Sequence, residues 1–300
     1  MTKPARATSV DSLTTKFAMG LDEGKRQQGL ALKLRSTDVV ITPFGKSGTT
    51  WIQQIVHCLR TRGDMDFDDI SRVVPWIEMS PALGLDLEAE QKANPRAFKS
   101  HLAWDVIPKG GRYIVAIRDP GDALFSFFKF IEGWFFEAGS IALDDFARAF
   151  YIKDRDYWKH LGSWWPRRND DEVLLMAFEH MKLDLPGTIK CIADFIDIEL
   201  DDELQAITEE HASLKFMQEH RSKFDDLLMR EMSERVACLP AGSDSSKVRV
   251  GKVGEHRQHL SDEITAELDA IWQQEITPRF EFPNYRTLID SLNNGRDAKR

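Results

Sequence analysis

The sequence predicts an α/β fold, with a mostly parallel central sheet covered by helices on both faces. Three observations predict it. Val39–Ile41, Tyr113–Ile117 and Val173–Phe178 are short, continuously apolar runs, the pattern of strands buried on both sides. Each is followed by a segment with helical spacing, and strand–helix alternation builds parallel sheets. No internal repeat or low-complexity block competes with that reading.

Taken in order, residues 1–37 are polar and weakly amphipathic and read as an N-terminal arm. Val39-Val40-Ile41 is the first strand, and Pro43-Phe44-Gly45-Lys46-Ser47-Gly48 is too rich in turn residues to continue it. From Thr49 through Trp51, Ile52, Ile55, Val56 and Leu59 the spacing is helical. The second strand ends at Arg118-Asp119-Pro120, and a helix starting near Gly121 carries a dense aromatic run to Phe136. The third strand leads into a helical pattern from Pro186 to Ile196. Ser261 is placed as the N-cap of the last strong helix, which runs to Gln274. No linker divides residues 38–291, which read as one domain; residues 292–300 read as a mobile tail.

The composition narrows the function. A hydrophobic share of 42% supplies a sizeable core, and eight Trp and eighteen Phe against four Tyr predict flat apolar walls. A net charge of -9 excludes nonspecific binding to nucleic acid or acidic membranes, which need a basic face; a local basic pocket for an anion stays compatible with it. No run approaches the roughly 18 apolar residues of a membrane span. The opening MTKPARATSVDSLTTKF lacks the apolar stretch of a signal peptide, so a cytoplasmic protein is expected. Cys58, Cys191 and Cys238 match neither a disulfide framework nor a zinc pattern.

The stretch between the first strand and its helix carries chemistry. Backbone N–H groups at a helix start face outward and the helix dipole favours an anion there. Gly45 and Gly48 let the chain approach phosphate closely, Lys46 adds a full charge, and Ser47, Thr49 and Thr50 add hydroxyl donors. The fold is therefore P-loop-like. The nucleotide-triphosphatase pattern asks for glycine five residues before Gly45, where Val40 stands. A nucleotide kinase or NTPase using ATP and magnesium is the alternative reading.

The run Lys46-Ser47-Gly48-Thr49-Thr50-Trp51 resembles the 5'-phosphosulfate loop of the cytosolic-type sulfotransferases, which use 3'-phosphoadenosine 5'-phosphosulfate (PAPS). Three more segments resemble that family in the same order. Lys99-Ser100-His101 is similar to its Lys-x-His element, which implies that His101 takes the acceptor's proton and Lys99 supports the transferring group. Arg118 to Ser126 resembles the segment whose arginine and serine hold the 3'-phosphate, and Ser126 is implied to restrain Lys46 as well. Arg249 and Gly251 match the element that closes over the 3'-phosphate, although Val250 stands where a lysine is usual; Lys247 and Lys252 are offered as compensation. The resemblance implies that Trp51 stacks on adenine and that Lys46 faces the bridging oxygen. It implies catalytic roles for His101, Lys46, Lys99 and Ser126, with Ser47, Gly48, Thr49, Thr50, Trp51, Arg118, Arg249 and Gly251 binding the donor, and no metal.

Departures fall on the adenine side. Phe178 replaces a tyrosine, His180 follows Glu179 in place of a second acid, and Ala212 and Leu214 beside His211 replace a threonine and a phenylalanine. His256 and His259 suggest no metal without a third ligand. The implied acceptor is a small molecule with a hydroxyl. Helical spacing buries part of the run Phe125, Phe127, Phe128, Phe130, Trp134, Phe135, Phe136, while the remaining rings are read as walls for a phenol, steroid or lipid alcohol. Residues 225–247 lose clear periodicity after Met232 and read as a lid. The family's dimer motif is not clearly present in Arg257–Glu267, which leaves the oligomeric state open.

Overall fold

The computed structural model describes residues 3–296 except 21, 244, 246 and 250. Its sheet has four parallel strands: β1 (Val39–Ile41), β2 (Ala97–Lys99), β3 (Arg112–Ile117) and β4 (Val173–Ala177), in the order β2-β1-β3-β4. The register sets Ile41 beside Lys99 and Ile114, and Ile117 beside Ala177. Three strands stand where the sequence predicts them. Phe178 leaves the third to open a short helix. The sequence reading did not include β2, because three residues with a lysine among them carry no strand signal of their own.

The longer helices are α1 (Val10–Met19), α2 (Thr49–Thr61), α3 (Pro120–Glu132), α4 (Asp156–Trp164), α5 (Leu185–Phe195), α6 (Asp202–His211), α7 (Leu227–Val236), α8 (Asp262–Glu275) and α9 (Tyr285–Arg296). Side chains on a strand alternate between faces, and here the alternation divides two cores. Val40, Phe98, Tyr113, Val115 and Leu175 join one with Leu124 of α3, Trp158 of α4, Leu268 of α8 and Leu288 of α9. Val39, Ile41, Ala97, Ile114 and Met176 join the other with Ile52 and Ile55 of α2, Ile192 of α5 and Leu204 of α6. Both faces are covered, as a parallel sheet requires.

Two boundaries differ from expectation. The aromatic helix stops at Glu132 because Gly133 and a turn back to Phe135 and Phe136 follow; Phe135 N donates to Ile131 O. Leu292–Arg296, expected as tail, continue α9, since Leu288 and Ile289 are buried and Leu292 packs on the same core. The rest of that segment, 297–300, lies outside the described residues. In the N-terminal segment, Phe17 of α1 packs edge-on against Phe135 and Phe150. The stretch expected as a lid begins with α7. Trp134 Nε1 donates to Ser233 Oγ at 2.9 Å, and Lys16 Nζ donates to Ala237 O at 2.8 Å.

The base of the sheet is held by charge. Arg96 donates from Nε and Nη2 to both oxygens of Asp38, at 3.0 and 2.6 Å, with both side chains buried. That pair ties the start of β1 to the start of β2, and so the relative height of everything the two strands carry above it. Removing one partner leaves the other charged and buried. Arg96→Met is expected to lower unfolding free energy by about 3–5 kcal/mol in urea titration; a loss below about 1 kcal/mol would show that water replaces the guanidinium.

Candidate active site

All four strands point their carboxyl ends at one cavity of about 640 Å³. The turn after β1 enters it first. Lys46 and Gly48 hold left-handed backbone, φ 68° and 94°, and Gly48 caps α2 with no side-chain bond, leaving the first N–H groups of that helix to the cavity. A Cβ at Gly48 would come within 3.0 Å of the Phe178 ring. At Gly45 φ needs no glycine, but an added Cβ would meet no protein atom within 4 Å and would stand in the cavity, on the side from which a ligand would approach. The hydroxyls of Ser47 and Thr49 are buried without a partner. Buried polar atoms usually have one; of these two, Thr49 lines the cavity, where a ligand could supply it.

The end of β2 supplies the reactive groups. His101 Nδ1 lies 2.8 Å from Pro43 O. A carbonyl only accepts, so Nδ1 carries the proton and Nε2 keeps its lone pair. Burial, then nearby Lys99, push the imidazole down to about 3. The backbone of His101 is pinned by buried Glu78, whose Oε1 accepts from His101 N at 2.7 Å and Ser100 Oγ at 3.3 Å. Trp76 stands edge-on to the imidazole at 5.2 Å and carries the Lys99 ammonium on its face at 3.7 Å. Nothing in the local sequence pattern marks Trp76 or Glu78; backbone pairing of residues 75–77 with Lys99 brings them in.

Arg118 follows β3. Its guanidinium donates to Lys46 O at 3.0 Å and Lys252 O at 3.3 Å and lies over Phe178, while Nε is buried without a partner. Ser126 lines the same cavity but makes no hydrogen bond to Lys46, whose ammonium instead lies 4.0 Å from the centre of Phe130. Arg249 forms a two-pronged pair with Glu255 at 2.9 and 2.6 Å. Gly251 is left-handed, and its carbonyl accepts from Lys182. Val250 lies outside the described residues. Trp51 meets Phe178 edge-on and donates from Nε1 to Ala212 O at 2.7 Å. Thr50, Leu214 and Leu185 line that end too. Glu179 accepts from Asp119 N and Tyr285 Oη. His256 pairs with Asp122 and His259 stacks on Phe125, so the two histidines serve different neighbours.

The aromatic run divides as its two readings suggest. Phe128 and Phe136 are core, whereas Phe127, Phe130, Trp134 and Phe135 wall the cavity beside Met229 and Trp76. Between these walls and the loop stands a group the sequence reading missed. Asp226 Oδ1 is 2.5 Å from Lys247 Nζ and 3.9 Å from Lys99 Nζ, and it is buried. Burial would raise the carboxyl, but Lys247 and Lys99 hold it down to about 2. Burial first, then Lys247, push Lys46 down to about 7 and Lys99 to about 8. Lys247 therefore sits beside Lys99 and Asp226, where it joins the charge around the Lys-x-His element.

A helix-capping loop with a lysine faces an imidazole whose Nε2 keeps its lone pair, an arrangement on an α/β fold suited to group transfer. The sulfotransferase domain family matches residues 36–278, and the chain belongs to that family. It is similar to the amine sulfotransferase of Oryctolagus cuniculus, 28% identical over 89% of each chain. It is also similar to sulfotransferase 2A1 of Homo sapiens, 26% identical over 83% of this chain and 88% of that one. Among solved structures, retinol dehydratase in complex with androsterone and the inactive cofactor PAP superposes with a TM-score of 0.66, 21% identity and 85% of each chain. A mouse sulfotransferase complexed with PAP gives 0.65 at 18% identity, covering 92% of this chain and 95% of that one. At these identities the two structures speak for the fold.

Gly48 is where loop and cavity wall meet. Gly48→Ala must hold an L residue at φ 94° against Phe178, which is expected to lower stability by about 1–3 kcal/mol in urea titration. Unchanged stability would mean that the turn relaxes into another conformation.

Proposed function

We propose that the protein transfers a sulfuryl group from PAPS to the hydroxyl of an apolar small molecule. The observation that carries this reading is the convergence of Lys46, Lys99 and the free nitrogen of His101 on one cavity whose far wall is aromatic. The unpaired Thr49 hydroxyl and the Gly45 backbone, both at the cavity, fit an anionic donor at the loop. Family membership and the PAP described with the solved relatives favour PAPS over ATP and magnesium. Androsterone, described with one relative, is an apolar alcohol of the kind the walls suit.

In this reading Trp51 and Phe178 flank adenine. Arg118, Ser126, Arg249 and Gly251 take the 3'-phosphate, with Arg249 leaving Glu255 to do so. The acceptor oxygen approaches from the aromatic side. Its bond to sulfur forms as the bond from sulfur to the bridging phosphate oxygen breaks, the three atoms in line. His101 Nε2 takes the hydroxyl proton, and 3',5'-diphosphoadenosine leaves with its charge met by Lys46. Lys99 holds the sulfuryl oxygens from the acceptor side. The low proton affinity of His101 keeps Nε2 open at neutral pH, and proton transfer to it proceeds as the anionic group offsets Lys99.

Incubation with PAPS and a panel of phenols, steroids and long-chain alcohols is expected to add the mass of one SO3 to at least one of them. A panel without any product, alongside tight binding of ATP with magnesium, would sink the assignment. His101→Ala is expected to lower turnover by roughly 10²–10⁴ while affinity for 3',5'-diphosphoadenosine stays within a few-fold in calorimetry. For the free enzyme, kcat/KM needs neutral His101 and charged Lys46. It is expected to hold level from weakly acidic pH and to fall as pH rises through about 7, where Lys46 loses its proton. An alkaline fall that begins only near the ordinary lysine range would remove Lys46 from that role.

A further inference from the structure

Asp226 has no part in the sulfotransferase motifs, yet it is the acidic group nearest the cavity's lysines. It arrives from the start of α7, Lys99 from the end of β2, Lys46 from the turn after β1 and Lys247 from the strand-free segment before Arg249. Its backbone is left-handed, φ 51°, a conformation that aspartate and asparagine adopt more readily than most residues. The neighbouring chain is anchored independently. Leu228 N donates to Asp69 Oδ2 at 2.9 Å, and Ser245 Oγ donates to Asp225. The carboxylate is thus set into the cavity rather than drawn there by one flexible lysine.

We propose that Asp226 is a positioning residue, the built-in counter-ion that gathers Lys99 and Lys247 and favours the charged form of the cavity's lysines while no donor is bound. The inference rests on the proposed function only for what the lysines then do. Three ammonium groups and the Arg118 guanidinium face this space, and burial disfavours the charge of Lys46 and Lys99. Against them stand Asp226 and, on the Lys99 side, the more distant Asp69 and Glu78. His101 is neutral and adds nothing to the balance at neutral pH. Lys247 works in the opposite sense on its neighbours: it orients Asp226 at 2.5 Å but repels Lys46 and Lys99. Donor phosphate and sulfonate oxygens would later supply the negative charge that Asp226 supplies beforehand, so Asp226 shifts the lysines toward their charged form before the donor arrives.

The test is a titration of lysine Cε signals by NMR on the full chain without donor, with Lys46 and Lys99 assigned from Lys46→Arg and Lys99→Arg. In Asp226→Asn, which keeps the left-handed backbone, both midpoints are expected to fall by about one pH unit or more. In Lys247→Met they are expected to rise. Midpoints that stay within about 0.3 unit of the parent in Asp226→Asn overturn the proposal. A rise there also overturns it, because loosened packing moves a buried lysine toward its ordinary value of about 10.4, the other direction. Where a sulfated product is obtained, the alkaline fall of kcat/KM in Asp226→Asn is expected to move down in step, roughly tenfold in rate per unit above it. If no acceptor is sulfated, the functional reading fails while the titration still decides the role of Asp226.

Discussion

Amines taken out of water and crowded together repel one another, and this cavity gathers three of them beside a guanidinium. The surroundings make that tolerable by spreading charge over faces and dipoles as well as over a carboxylate. Lys46 lies on Phe130, Lys99 on Trp76 and Arg118 on Phe178, so each cation has an aromatic face as a partial substitute for water. Asp226 completes the balance. A site arranged this way is poised for an anion, and the same aromatic rings that support the cations form the apolar side of the cavity.

The sheet decides where these groups meet. In parallel strands every carboxyl end lies on the same edge, and each strand here delivers one part: the turn with Lys46, Lys99 and His101, Arg118, and Phe178. Register sets their heights. Ile41 is level with Lys99 and Ile114, which brings Pro43 O close enough to hold His101 Nδ1. The buried Arg96–Asp38 pair at the opposite edge fixes the same two strands from below. Structural and functional charges thus occupy opposite ends of one pair of strands.

Much of the fold could be read from the residues. Val39–Ile41, Tyr113–Ile117 and Val173–Ala177 were legible because a strand covered on both faces is uniformly apolar. Strand β2 was not, since Lys99 interrupts its pattern and becomes buried only through Trp76 and Asp226. The loop around Gly48 was legible because glycines, a lysine and three hydroxyls stand together between a strand and a helix; that Lys46 is held in left-handed backbone was not. Phe128 and Phe130, two residues apart on one helix, went to core and cavity by the side they face, which composition cannot tell.

By itself the sequence determined the local pieces: three of the four strands, the helices that follow them, and the segments whose glycines, hydroxyls, lysines and histidine suit anion binding and proton transfer. Those properties depend on neighbours along the chain. Only the tertiary structure decided that Asp226, Trp76 and Glu78 belong to the site, that Lys247 pairs with Asp226, that Arg249 rests on Glu255, and which nitrogen of His101 is free. Protonation, burial and ion pairing depend on groups brought together from distant segments, and no spacing within a segment encodes the distance between two of them.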